Sequence, residues 1–329
     1  MFGFGQLIGI LKKSPKKIVF TEGEDSRILE ASSRLLASNF LHPILIGNEE
    51  KIMNAAEESG FNIRGAEIID PEKYEKMDEM VEILCELRKK KGMTPEKARQ
   101  VLSQANYFGT MLVKMGVADS LLGGATYSTA DTVRPALQII KTKPGISRTS
   151  GVFLMNRETT DQRLIFADCA INIEPDEQEL AEIAINTADT TKIFDIDPKI
   201  AMLSFSTKGS AKASQVEKVQ EATRIAKELR PEIALDGELQ FDAAFVPTTA
   251  KIKAPESDVA GQANVFIFPD LQSGNIGYKI AQRLGMFDAI GPILQGLNMP
   301  VNDLSRGSSA EDIYKLAIIT AAQTLDNTK

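Results

Sequence analysis

The sequence predicts a soluble α/β protein with two domains, and three observations lead to that prediction. Short apolar runs alternate with longer helical patterns almost to the end of the chain, as expected where helices cover sheets. Hydrophobic residues make up 43% of the chain and charged residues 25%, which is the balance of a globular protein. The length of 329 residues suffices for one large domain or two ordinary ones.

The first half of the chain opens with a short amphipathic segment and continues with strands and helices. A helix over Gln6–Leu11 that docks on the protein is predicted because four apolar residues share one face: Phe4, Leu7, Ile8 and Leu11. The predicted strands are Lys17–Phe20, Pro43–Ile46, Glu67–Ile69 and Asp119–Leu122. The other predicted helices are Ser26–Ser38, Asp78–Lys91, Pro95–Lys114 and Thr129–Lys141. Several of the strands end in small or polar residues, and ligands of open α/β sheets bind beyond the carboxyl ends of strands.

The second half repeats the alternation and sets the domain boundary. Its predicted strands are Gly151–Met155, Arg163–Ala167, Ile200–Phe205, Glu232–Leu235, Asn264–Phe268 and Ala289–Leu294. Its predicted helices are Glu177–Phe194, Ser214–Arg230, Asn275–Leu284 and Ala310–Leu325.

A segment rich in turn residues, KPGISRTSG, interrupts the middle of the chain. No strand follows the final helix, so that helix is expected to cover a sheet built earlier. We therefore predict a first domain of residues 1–148 plus 297–329, a second domain of residues 149–296, and a cleft between them.

Composition and charge exclude several classes of function. The net charge of -7 and the sequence pI of about 5.1 argue against nucleic-acid binding, which needs clustered positive charge. The two cysteines, Cys85 and Cys169, are too few for a disulfide framework and favour a reducing cytoplasm, with Cys169 as a buried structural thiol. The single histidine, His42, removes Ser-His-Asp triads and multi-histidine metal sites from consideration. No apolar run reaches the roughly 18 residues of a membrane span, so no membrane association is expected.

The most informative segment is VNDLSRGSSAEDI, close to the carboxyl terminus. Ser305 and Arg306 precede a predicted helix, where backbone N–H groups converge and anions are favoured. Arg306 carries a planar fork suited to phosphate oxygens, and Asp312 lies about one turn inside the helix, within reach of Ser305. The pattern predicts a phosphate site with a base beside it. The same letters also fit a helix-capping box in either of two registers, and this interpretation stays open: Ser309 with Asp312, or Ser308 with Glu311.

Two further strand–turn–helix segments carry candidate binding residues. In PDLQSGNIGYKIAQRLG, Lys279 and Arg283 are four residues apart and therefore share one helix face, for which a solvated basic face is the alternative. In GGATYSTADTVR, two glycines follow a strand and precede Ser128 and Arg134. Glycine at that point is expected to let the backbone approach a ligand closely.

Seven motifs together resemble those of the phosphate acetyltransferase (phosphotransacetylase) family in its short form. They are FTEGEDSRILEA, GGATYSTADTVRPALQIIKTKPG, FADCAIN, STKGSAK, PDLQSGNIGYKIAQRLG, GPILQG and NDLSRGSSAED. The resemblance covers essentially the whole chain. It implies two three-layer α/β domains of the isocitrate/isopropylmalate dehydrogenase type, an active-site cleft between them and a homodimer. The implied reaction is the reversible transfer of an acetyl group between acetyl phosphate and coenzyme A.

The resemblance also assigns roles to particular residues. Ser305, Arg306 and Asp312 occupy the positions of the family's catalytic motif. Asp312 would take the proton of the coenzyme A thiol, Ser305 would help to hold the thiolate, and Arg306 would bind the phosphate. The residues predicted to bind coenzyme A and substrate are Arg88, Ser128, Arg134, Lys279 and Arg283. Coenzyme A is then a substrate, and no cofactor or metal is expected.

Three alternative functions differ in substrate or in class. A phosphate butyryltransferase-like enzyme would share the chemistry and prefer a longer acyl chain. A metal- and NAD(P)-dependent decarboxylating dehydrogenase would need a carboxylate cluster whose spacing specifies a metal, and the scattered acidic residues do not provide one. A coenzyme A or phosphate-binding module without activity is the third alternative.

Overall fold

The computed structural model describes residues 4–325, and over that range strands and helices alternate as predicted, which confirms the α/β class. The strands are β1 (Lys16–Phe20), β2 (Leu41–Ile46), β3 (Glu67–Ile69), β4 (Ser120–Gly123), β5 (Ser150–Arg157), β6 (Gln162–Ala167), β7 (Lys199–Leu203), β8 (Ala234–Leu239), β9 (Val265–Ile267), β10 (Asp288–Gln295) and β11 (Val301–Asp303). The helices are α1 (Phe4–Lys13), α2 (Ser26–Ser38), α3 (Glu49–Ser59), α4 (Met77–Leu87), α5 (Pro95–Leu102), α6 (Ala105–Lys114), α7 (Thr129–Pro135), α8 (Glu177–Lys192), α9 (Ser214–Leu229), α10 (Phe241–Phe245), α11 (Pro247–Lys253), α12 (Leu271–Arg283) and α13 (Ala310–Ala322).

Contacts divide these elements into two compact units, with breaks between Lys143 and Pro144 and between Gly296 and Leu297. We call residues 144–296 the central unit and the remaining described residues the N-terminal unit. The N-terminal unit contains a five-stranded sheet in the order β11-β4-β1-β2-β3. All of its strand pairs are parallel, so the carboxyl ends of β1, β4 and β11 lie side by side at one edge of the sheet.

Helices from both ends of the chain cover the sheet of the N-terminal unit. Leu7 and Leu11 of α1 are buried, and α1 packs against α13, so the predicted docking helix is confirmed. Helix α13 also packs against α2, where Arg34 forms an ion pair of 2.7 Å with Glu311. This ion pair and the packing hold α2 against the first turn of α13.

The central unit is built on a six-stranded mixed sheet in the order β10-β5-β6-β9-β7-β8. Strands β10, β5 and β6 pair in antiparallel fashion, and β6, β9, β7 and β8 pair in parallel. Aromatic side chains such as Phe166 and Phe266 pack edge to face in its core. Cys169 is fully buried in the same core, as predicted, and burial raises the pKa of its thiol well above the usual range.

Two predicted helices were wrong in extent, and strand β11 and helices α3, α10 and α11 were not predicted. The single helix predicted over 95–114 is two helices, because the Ser103 hydroxyl bonds the Gln100 carbonyl at 2.8 Å and Gln104 is extended. The helix predicted over 129–141 has regular α geometry only to Pro135 and continues as a wider π-helical turn. Residues 301–303 pair with β4 as a strand, although the sequence carries too short an apolar run to predict it.

Candidate active site

The segment after β11 forms a tight turn that presents Ser305 and Arg306 at the surface of the N-terminal unit. The backbone N–H of Ser308 donates to the Ser305 carbonyl at 2.9 Å, and the N–H of Gly307 donates to the Ser305 hydroxyl oxygen at 3.2 Å. The Arg306 guanidinium has no hydrogen-bond or ion-pair partner among the described residues. An exposed arginine without a protein partner is available to an anionic ligand.

Asp312 forms the capping box of α13 with Ser309. Its Oδ2 atom accepts hydrogen bonds from the Ser309 backbone N–H and hydroxyl, both at 2.8 Å, and the Ser309 hydroxyl oxygen accepts from the Asp312 N–H at 3.2 Å. The alternative register is excluded, since Glu311 pairs with Arg34. No hydrogen bond joins Asp312 to Ser305 among the described residues, so the expected reach between them is not observed. The Oδ1 atom of Asp312 has no described partner and is left for another donor.

Arg27, at the beginning of α2, holds three loops together. Its guanidinium donates to both carboxylate oxygens of Asp25, at 2.7 and 2.9 Å, and to the Ala125 carbonyl at 2.9 Å. The same group donates to the carbonyls of Arg306 and Ser308, at 2.9 and 3.0 Å. Burial alone would raise the pKa of Asp25, but the hydrogen bonds and charge of Arg27 hold it below its usual range. The turn that carries Arg306 is therefore anchored through its backbone, while its side chain stays free.

The glycine loop after β4 is filled by a side chain of the protein rather than left open for a ligand. Oε1 of Glu22 accepts the N–H groups of Gly124 and Thr126, at 2.9 and 3.3 Å, and its Oε2 accepts the Thr21 hydroxyl at 2.8 Å. Gly124 has φ of +105°, and a Cβ there would lie 2.5 Å from Oδ1 of Asp303. Glycine here makes room for internal side chains, and the close approach of a ligand to this backbone stays a prediction.

Burial governs the protonation of the buried groups beside this loop. It raises the pKa of Glu22 despite the hydrogen bonds that the carboxylate accepts, and it raises the pKa of Asp303 despite two threonine hydroxyls. The Tyr127 hydroxyl lies 2.6 Å from the Thr21 hydroxyl oxygen, and burial followed by the charge of Glu22 raises the pKa of Tyr127 far above its usual range. Tyr127 therefore stays protonated and serves as a hydrogen-bonding group.

Two of the predicted binding residues, one just before α7 and one within it, share a single carboxylate. Asp131 accepts the Ser128 hydroxyl at 2.7 Å and forms an ion pair of 3.6 Å with Arg134. Burial raises the pKa of Tyr107, and the positive charges of Arg134 and Arg88 act in the opposite direction. Both guanidinium groups thus lie near the same tyrosine, and the Nε atom of Arg88 is buried without a hydrogen-bond partner.

Six of the eight predicted site residues belong to the N-terminal unit, and two belong to the central unit. The six are Arg88, Ser128, Arg134, Ser305, Arg306 and Asp312. Lys279 and Arg283 lie on the exposed side of α12, as their spacing predicts. The ammonium group of Lys279 lies 5.8 Å from the centre of the Tyr278 ring, and that ring stacks on Phe153 at 4.1 Å.

Sequence reasoning missed four residues that shape this site: Glu22, Arg27, Tyr127 and Asp303. Glu22 follows the apolar end of strand β1, a position where a carboxylate stands out, whereas Asp303 ends a strand with a single apolar residue. That signal was available for Glu22 only. Nothing in the sequence indicates that Arg27 contacts a turn 279 residues away.

An unpaired arginine before a helix whose first turn carries a carboxylate suits an anionic ligand, and comparison with known proteins gives the class of enzyme. A family model described as "Phosphate acetyl/butaryl transferase" matches residues 4–321. The chain belongs to this family, and it is an acyltransferase.

Individual relatives agree with the family assignment. A curated phosphate acetyltransferase of Bacillus subtilis is 62% identical over 309 residues, covering 94% of this chain and 95% of its own. A solved phosphotransacetylase from Streptococcus pyogenes is 67% identical, with a TM-score of 0.94 over 98% of this chain and 99% of its own.

A more distant relative bears on the fold alone. A putative 4-hydroxythreonine-4-phosphate dehydrogenase from Salmonella typhimurium has a TM-score of 0.52 at 12% identity, covering 95% of this chain and 98% of its own. This likeness supports the dehydrogenase-like fold prediction.

Two features are absent from the described residues, 4–325. Within that range no group of three or more histidine, cysteine, aspartate or glutamate side chains has the arrangement to hold a metal ion. No helix in the same range is long and apolar enough to cross a membrane.

Proposed function

We propose that this protein catalyses the reversible transfer of an acetyl group between acetyl phosphate and coenzyme A. The observation that carries the proposal is the match of 62% identity to a phosphate acetyltransferase along 94% of the chain. The Arg306 guanidinium, without a protein partner among the described residues in the turn before α13, supports it independently. A longer acyl substrate is not favoured, because the relatives of high identity are named for acetyl transfer.

The proposed reaction is a direct displacement with both substrates bound. The Oδ1 atom of Asp312 takes the thiol proton of coenzyme A, and the Ser305 hydroxyl donates to the resulting thiolate. The thiolate attacks the acetyl carbonyl, a C–S bond forms and the C–O bond to the phosphate breaks. Arg306 offsets the charge on the carbonyl oxygen and on the departing phosphate. The proton on Asp312 returns to solvent or to phosphate, so the enzyme ends unchanged.

Coenzyme A is proposed to bind along α7 and the end of α4. Arg134 and Arg88 supply positive charge for its phosphates, and the Ser128 hydroxyl supplies a hydrogen bond. Lys279 and Arg283, two exposed cations four residues apart on α12 of the central unit, stay predicted binding residues. A phosphate of the ligand would replace Asp131 as the partner of Arg134.

A thioester assay tests the proposed function. Purified protein mixed with acetyl phosphate and coenzyme A should raise the thioester absorbance with no metal added and equally in the presence of a chelator. Butyryl phosphate in place of acetyl phosphate should react much more slowly. A faster reaction with butyryl phosphate would favour the butyryltransferase-like alternative, and no thioester with either substrate would leave only a binding module.

Replacing Arg27 by lysine should lower kcat for acetyl transfer by about tenfold to a hundredfold, since small displacements of catalytic groups cost that much. A lysine ammonium cannot reach Asp25, Ala125 and the turn at the same time. The measurement is steady-state kinetics together with thermal unfolding. Arg34→Lys is the matched control on the same helix, because Arg34 pairs with Glu311 and does not contact the turn. Equal rates in the two variants would contradict the anchoring role.

We also propose that the protein is a cytoplasmic homodimer. Three apolar side chains form an exposed stripe along α12, with 58%, 53% and 81% of their surface exposed: Ile276, Ile280 and Leu284. Stripes of this kind on a soluble protein commonly mark an interface. Sedimentation should give twice the mass of the chain, and Ile280→Glu should shift it toward the monomer. A monomeric wild-type protein would reject the dimer.

A further inference from the structure

Asp303 is a buried carboxylate held by two hydroxyl groups. It ends β11, two residues before Ser305, and only 1% of its surface is exposed. Its Oδ2 atom accepts the Thr129 hydroxyl at 2.6 Å, and its Oδ1 atom accepts the Thr132 hydroxyl at 2.5 Å. A carboxylate in this position is costly to bury and is retained only where its hydrogen bonds are satisfied.

Both hydroxyls belong to the first half of α7, the helix that carries Arg134. Ser128 precedes this helix, and Asp131 within it bonds to Ser128 and Arg134. The two bonds to Asp303 approach from adjacent positions on one helix face, since their donors are three residues apart. They therefore fix both the height of α7 along the sheet edge and its rotation about its own axis.

The backbone beside Asp303 leaves little room for an alternative arrangement. The N–H of Leu304 donates to the Gly123 carbonyl at 2.7 Å, and a Cβ at Gly124 would lie 2.5 Å from Oδ1 of Asp303. The carboxylate is thus enclosed by the end of β4 on one side and by α7 on the other. Only Leu304 separates Asp303 from Ser305 along the chain.

We infer that Asp303 is a positioning residue that fixes α7, with Ser128 and Arg134, relative to the turn that carries Ser305 and Arg306. The inference rests on the proposed function, because that function makes Ser128 and Arg134 coenzyme A-binding residues and makes the turn catalytic. Asp303 would set the distance between these two parts of the site. It acts through other residues and makes no contact with substrate.

The test removes the hydroxyl donors and keeps Asp303. Thr129→Val, Thr132→Val and their double variant should raise KM for coenzyme A, by about fivefold to tenfold in the double variant, as expected for loss of coupled contacts. Thr132→Ser keeps the hydroxyl and should restore the wild-type KM. Thr110→Val is the matched control for Thr132, since both threonines are buried but the Thr110 hydroxyl bonds only to the Asn106 carbonyl of its own helix.

A double-mutant cycle with Arg134→Gln separates positioning from general destabilisation. If the threonines act through Arg134, the double valine variant should change KM by less than about twofold once Arg134 is glutamine. Fully additive effects, or a KM in the valine variants equal to that of Thr110→Val, would overturn the inference. If Thr132→Val fails to fold, Thr129→Val alone decides, because Thr129 lies at the exposed edge of the helix. The Arg134→Gln single variant tests the proposed function separately. If its KM for coenzyme A equals that of the wild type, Arg134 does not bind coenzyme A, and the inference about Asp303 is rejected as well.

Discussion

Asp312→Asn should lower kcat for acetyl transfer by about 100- to 10,000-fold, the range expected when a general base is removed. The asparagine amide has the same shape, and its oxygen can still accept the Ser309 N–H, so the beginning of α13 should remain capped. The measurement is the steady-state rate with both substrates saturating, accompanied by thermal unfolding. Loss of activity with little loss of stability is the expected combination.

Ser309→Ala is the matched control for that variant. It removes the hydroxyl from the capping box and leaves the Asp312 carboxylate in place. It should lower the free energy of unfolding by about 1 kcal/mol, as is usual when an N-cap is lost, and leave kcat within a few-fold of wild type. If Ser309→Ala lost as much activity as Asp312→Asn, the role of Asp312 would be capping alone. Wild-type turnover in Asp312→Asn would remove it from the mechanism.

Arg306→Gln should lower kcat by about 100- to 1,000-fold, the usual cost of removing one preorganised electrostatic donor. The guanidinium is bonded to no described residue, so its loss should hardly change stability. Arg306→Lys keeps the positive charge but not the planar fork, so its kcat should lie between that of the wild type and that of Arg306→Gln.

The control for Arg306 is Arg64→Gln, a change at another exposed arginine of the same unit. This variant should keep the wild-type rate. A loss of less than about threefold in Arg306→Gln would contradict its role at the departing phosphate.

Much of the fold could be predicted because strand and helix periods are local properties of the sequence. The apolar alternation of β1 and β2 and the helical spacing of α9 are examples. The break between α5 and α6 could not be predicted in the same way, because it depends on a serine hydroxyl that bonds a carbonyl instead of pointing to solvent. Strand β11 is recognised as a strand only because its backbone pairs with β4 in the folded sheet.

The candidate site likewise contains residues that a local sequence pattern predicts and residues that only the folded structure reveals. Ser305, Arg306 and Asp312 lie within eight residues of one another, so a local pattern at a helix beginning sufficed to select them. Arg27 and Asp303 act through contacts with residues more than 150 positions away. Such contacts follow from strand order, and strand order is a property of the folded sheet rather than of any segment.

The carboxylate of Glu22 beneath the glycine loop has a consequence for how the enzyme meets its substrates. A loop whose amides wait for a ligand must become ordered each time the ligand arrives, and that ordering weakens binding. Here the Glu22 carboxylate, which is part of the chain, accepts the N–H groups of Gly124 and Thr126 in place of a ligand. The loop is therefore already ordered before a substrate binds, with its neighbours Tyr127 and Ser128 in place.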